Sequence, residues 1–131
     1  MLSKVENDLL KRLKKPLVLA AEANFSEGQS ADWPDRAQFS RLINACASAS
    51  CAEEIRNYLQ YQCSRERPPW EKSFAIAVIN RITKVLTEQH IEADEIRVRA
   101  WQQYATYLAR AFAYAKAIAP PQDRESRRHR D

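Results

Sequence analysis

The chain has 131 residues, a formal charge of +4 and a sequence pI of about 9.1. That length allows one domain with one core and excludes two ordinary ones. Hydrophobic residues at 45% with 29% charged describe a soluble globular domain rather than a disordered tail.

One glycine, Gly28, serves the whole chain. Strand-rich folds need Gly-bearing turns and alternating patterns, and neither is visible. The fold class is therefore all-α: a compact bundle of about five helices over residues 1–121, with a long C-terminal helix. Leu2 is followed by Ser3 and then by Lys4 and Glu6 rather than an apolar leader segment. No run approaches the roughly 20 apolar residues of a membrane span. Three cysteines without an export signal point to reduced thiols and a cytoplasmic protein with no membrane partner.

Ser3 and Glu6 have capping-box spacing, which starts a helix there. Leu2, Val5, Leu9 and Leu13 line one face of it, and Lys4, Lys11, Arg12 and Lys15 the other. Pro16 is expected to end or kink this helix, with Leu17 to Ala23 able to resume it. Asn24 to Pro34 is polar and contains the glycine, so it reads as a long loop of a length that suggests a binding role. Phe25 and Trp33 within it either pin the loop to the core, the commoner use, or offer an aromatic to a partner.

Pro34 opens a second helix with Phe39, Leu42, Ile43 and Cys46 inward, reaching about Ser48. Ser50 with Glu53 repeats the capping-box spacing and starts a third, whose stripe holds Cys51, Ile55, Tyr58, Leu59 and Gln62. Pro68 and Pro69 stop it near Arg65. Trp70 begins the fourth, with Phe74, Val78, Ile79, Ile82, Val85 and Leu86 inward; it either anchors the helix, the commoner use, or joins the charges of Arg65 to Lys72 in a binding corner. After a short connection, His90 to Ala93, the fifth helix runs from Asp94 to Ala119. Trp101, Tyr104, Leu108, Phe112, Ala115 and Ala119 recur on its core side. Arg99, Gln103, Arg110 and Lys116 occupy its other side with Ala109, Ala113 and Ala117, and Tyr114 stands at the margin. Residues 122–131 read as a polar, disordered tail.

No catalytic pattern emerges. Cys46, Cys51 and Cys63 are spaced by five and twelve, and His90 and His129 lie far downstream. Structural zinc wants close ligand pairs, so the cysteines read as buried thiols. Adjacent Glu53 and Glu54 point apart on a helix, and Glu53 has the cap role. One glycine builds neither a P-loop nor a dinucleotide-binding turn. The chain is expected to be no enzyme and to need no cofactor or metal.

What remains is basic surface with aromatic company. Arginines outnumber lysines 14 to 7, and the guanidinium fork suits phosphate. Lys11, Arg12 and Lys15 on the first helix, Arg81 and Lys84 on the fourth, and Arg99, Arg110 and Tyr114 on the fifth are the candidate RNA-binding residues. Such a set tracks phosphates without reading bases.

Two stretches, FSRLINACASASCAEEIRNYLQYQCSR (Phe39 to Arg65) and WQQYATYLARAFAYAKA (Trp101 to Ala117), resemble the small subunit of type III CRISPR effector complexes, the Csm and Cmr class. The first has that family's small-residue helix junction before a Tyr/Gln-rich helix. The second is similar to its aromatic closing helix. The resemblance implies a non-catalytic subunit that contacts the duplex of crRNA and target RNA through basic side chains, without sequence preference, and packs against other subunits. The Ala-rich face of the fifth helix adds the expectation of close packing, including self-association. The remaining possibility is a helical interaction module with no RNA role, its basic faces meeting an acidic protein.

Overall fold

The computed structural model describes residues 2–26 and 30–119, so the expected tail lies outside the described residues. Five α-helices follow one another: α1 (Lys4–Ser26), α2 (Arg36–Ser48), α3 (Ala52–Ser64), α4 (Lys72–Glu88) and α5 (Asp94–Ile118). A single 3-10 turn, Ser30–Asp32, precedes α2. No strand occurs among the described residues. Helix α5 is the strut: it packs most extensively on α1, then on α2, and also touches α3 and α4, while α1 lies against α4 as well.

The capping box at Ser3 is formed. The Ser3 hydroxyl accepts from the Glu6 N–H at 3.1 Å, and Glu6 accepts from the Ser3 N–H at 3.0 Å. The face expected behind it is turned. Val5 is 74% exposed, Leu2 and Leu9 only flank the core, and the buried row is Leu10, Leu13, Leu17 and Ala21. Leu13 belongs to both rows, so the first two turns alone left the face ambiguous.

Pro16 does not end the helix. Helix α1 runs unbroken past it to Ser26, which removes three residues from the supposed loop. An interior proline costs about 3 kcal/mol. Each fully buried leucine returns about 1.5–3 kcal/mol, and Leu13 and Leu17, on either side of Pro16, are both fully buried. Continuity of the buried face therefore outweighs the local penalty.

Phe25, expected in the loop, instead closes α1 and sits at an aromatic hub. Its ring centroid lies 5.3 Å from Trp33, 5.6 Å from Phe74, 5.9 Å from Phe39 and 6.1 Å from Phe112. Phe25 and Trp33 pin the connection to the core. Trp70 does the same for the turn after α3: it is fully buried, 5.4 Å from Phe39 and 6.0 Å from Phe74.

Helix α4 starts two residues later than Trp70, because Glu71 is the cap. Its carboxylate accepts from the Phe74 N–H at 3.1 Å and from the Ser73 hydroxyl. The Ser50–Glu53 box does not form. Helix α3 begins at Ala52 with Cys51 as N-cap, which moves the reach-back position one residue on, so Glu54 accepts from the Ser50 N–H at 2.8 Å. Glu53 is thereby released to meet Arg97 of α5 at 3.0 Å.

Helix α4 ends in a Schellman motif. His90 has φ 56°, its N–H reaches the Thr87 carbonyl at 3.1 Å, and the Ile91 N–H reaches Leu86 at 2.9 Å.

Candidate nucleic-acid interface

Polar contacts fix which side of α5 is buried and so which side is surface. Tyr104 is fully buried, donates to the Val78 carbonyl of α4 at 2.7 Å and accepts from Asn24 Nδ2 of α1 at 3.0 Å. Burial pushes its phenol well above the usual value, against the opposing pull of the Asn24 hydrogen bond and the nearby Arg81 charge. Gln102 donates to the Cys46 carbonyl at the end of α2 at 3.1 Å. These three ties set the rotation of α5 about its axis.

Its outer side then presents Arg99, Arg110 and Tyr114, all exposed, with Tyr114 at 69%. Arg99 and Arg110 are eleven positions, or about 16 Å of helix, apart. Arg110 and Tyr114 stand on the wall of an apolar groove between α1 and α5, where they face Val18 and Glu22. Lys11, Lys15, Val18 and Glu22 follow at steps of four, three and four, so they share one face of α1. The groove's own α1 wall is Val18, Glu22, Phe25 and Ser26, and Lys11 and Lys15 lie outside it on the same helix face. Arg12, also exposed, is turned about 100° from Lys11 by the helical period.

Arg81 and Lys84 are not part of this grouping. They line a shallow depression on α4 with Ala77 and Asn80. Arg81 is half-buried beside the core and acts on Tyr104. Lys84 is exposed and 3.9 Å from Glu88, an i,i+4 contact worth about 0.3–0.5 kcal/mol at most.

A second groove, of about 580 Å³, runs between α2 and α5, and Arg110 lines it too. Arg36 and Lys116 are its other cations. Sequence reading passed over Arg36 altogether. Its position just after Pro34 and Asp35 marks a helix start, but only the packing of α2 on α5 brings it to Arg110. Lys116 was legible as an outer residue of α5, but not as a member of this group. Its ammonium stands 5.7 Å from the Phe112 ring centroid, within cation–π range.

Of the three thiols expected to be buried, only Cys46 is; Cys51 and Cys63 are half-buried. Cys46 is fully buried, and burial alone pushes its thiol up to about 12. The Cys63 thiol, half-buried, donates to the Gln60 carbonyl. Among the described residues no group of three or more His, Cys, Asp or Glu side chains is placed to hold a metal. Glu53 is held below the usual carboxylate range first by its backbone N–H and then by Arg97, as expected of an ion pair.

No protein-family model matches the chain, and no curated protein or solved structure matches it either.

Proposed function

We propose that this chain is a non-catalytic, RNA-contacting helical subunit of a larger ribonucleoprotein, of the kind its sequence resembles, the small subunit of type III CRISPR effector complexes. The observation that supports the RNA reading is the exposed row of Arg99, Arg110 and Tyr114 along the outer side of α5, with Lys11, Arg12 and Lys15 exposed on α1. Cations tracking a backbone, with an aromatic ring presented beside them, suit sequence-independent contact with nucleic acid. Nuclease or cyclase chemistry would belong to other subunits. The chain's own role is to hold crRNA and target RNA and to pack against its neighbours. No helix among the described residues is long and apolar enough to cross a membrane.

A second reading has an observation of its own. The groove between α1 and α5 is lined mainly by apolar side chains, and Tyr114 and Ile118 are 69% and 64% exposed. An apolar strip of that sort suits a partner helix, as in an interaction module that never meets RNA.

Charge reversal separates the two. Arg99→Glu with Arg110→Glu should strip RNA from the co-purified complex while leaving its protein subunits together. RNA retained at the wild-type level would sink the RNA reading. Lost subunits with intact RNA would favour the interaction module.

A further inference from the structure

We propose that the groove between α2 and α5 seats a single strand of RNA, its phosphates held by Arg36, Arg110 and Lys116. The inference rests on the RNA-contacting reading above and deepens it by naming a second contact surface and the form of RNA it takes.

Charge is the first argument. The groove is lined by three cations and by no carboxylate. Asp35 precedes Arg36 in the chain but is not among the lining residues. Among the described residues none of the three cations forms an ion pair; the pairs present are Lys84 with Glu88, and Arg97 with Glu53 and Asp94. All three are exposed. Like charges gathered around one concavity repel one another until an anion enters, and a polyanion neutralises them together.

Shape is the second argument. The floor includes Ala109, Ala113 and Ala117, three residues at steps of four on α5, which leave room for a close approach. The groove lies in the usual volume range of ligand sites, roughly 300–1,000 Å³. A cleft between two packed helices admits one strand, whereas a duplex would meet only its rim. The Ser40 hydroxyl on the α2 wall adds a neutral hydrogen-bonding group.

Continuity is the third. Arg110 lines both grooves. A strand leaving Arg36 and Lys116 therefore crosses α5 at Arg110 and reaches Tyr114, whose exposed ring gives a base a face to stack on.

The test is fluorescence anisotropy of the whole protein with a labelled oligouridylate and with a duplex RNA of equal length, each over a range of salt. The wild type should bind the strand more tightly than the duplex. Arg36→Gln with Lys116→Gln should lower the salt slope for the strand by about 1.4, from about 0.7 per phosphate contact. The same double variant should weaken strand binding at low salt by about tenfold. Lys72→Gln, an exposed cation outside both grooves, should change neither quantity, and circular dichroism should show unaltered helicity in every variant. Wild-type affinity and slope in the double variant, an equal loss in Lys72→Gln, or a preference for duplex would each overturn the proposal. A wild type that binds neither RNA in any context would overturn the RNA-contacting reading along with it. Loss of binding in Arg99→Glu with Arg110→Glu, but not in Arg36→Gln with Lys116→Gln, would overturn this groove alone.

Discussion

Asn24 and Tyr104, eighty residues apart, meet by a 3.0 Å hydrogen bond inside the bundle. Asn24 Nδ2 also donates to the Ala20 carbonyl at 3.0 Å, and the Tyr104 hydroxyl passes the connection on to Val78. One small network thus joins α1, α5 and α4 at a point where apolar packing alone would permit rotation about the helix axes.

Removing the hydroxyl leaves the buried Asn24 amide short of one partner. Tyr104→Phe should destabilise the domain by about 1–3 kcal/mol, read as a lower urea midpoint. A double-mutant cycle with Asn24→Ala should show coupling of the two positions, because each loses the same bond. Additive effects would mean that the network contributes only shape.

His90 is the one non-glycine residue with positive φ among those described. A Cβ is disfavoured there by about 1–2 kcal/mol, because it crowds the following carbonyl oxygen. His90→Gly should therefore raise stability by about 1 kcal/mol once the extra freedom of the unfolded glycine is subtracted. Thermal melting checks this, and an unchanged or lower melting temperature would count against the Schellman geometry.

Alkaline pH should unfold the protein by steps. Cys46 and Tyr104 ionise near 9.0 and 10.0 when unfolded, and burial raises both in the folded state. Their contribution is fully present below those unfolded values and is lost as pH rises through the folded ones. Stability should fall by about 1.4 kcal/mol per pH unit for each group once its unfolded value is passed. Cys46→Ala should abolish the first part of the decline and leave the part that begins near 10. Melting curves collected across that range distinguish the two phases.

Phe25 packs near four aromatic rings, one from the connection before α2 and one each from α2, α4 and α5. Phe25→Ala should cost about 3–5 kcal/mol, measured by denaturant titration. A loss under about 1 kcal/mol would show that the hub collapses without strain.

Those same residues mark where sequence reading stopped. Helices α2 to α5 were legible nearly to the residue, because proline pairs and apolar periodicity are local signals. The Ser3–Glu6 cap was legible for the same reason. Asn24 and Phe25 were read as loop because Pro16 and Gly28 speak against helix locally, and only burial against α5 overrules them. Glu53 was assigned a cap, yet its partner is 44 residues away. For the candidate site, Arg110 and Tyr114 were legible as outer residues of α5. Their grouping with Val18 and Glu22 of α1, and that of Arg36 with Lys116, depends on how separate helices converge, which no spacing within one helix encodes.

The central place of α5 has a consequence for how the chain is made. Helix α1 leaves the ribosome 68 residues ahead of the start of α5, counting from Ser26 to Asp94. At about 5–20 residues per second, that is a wait of roughly 3–14 s. Throughout it, the apolar row of α1 and the inner faces of α2 and α3 lack the helix they share. The nascent protein therefore carries open hydrophobic surface until Trp101 to Phe112 emerge, an interval in which a chaperone or a preassembled partner would find it receptive.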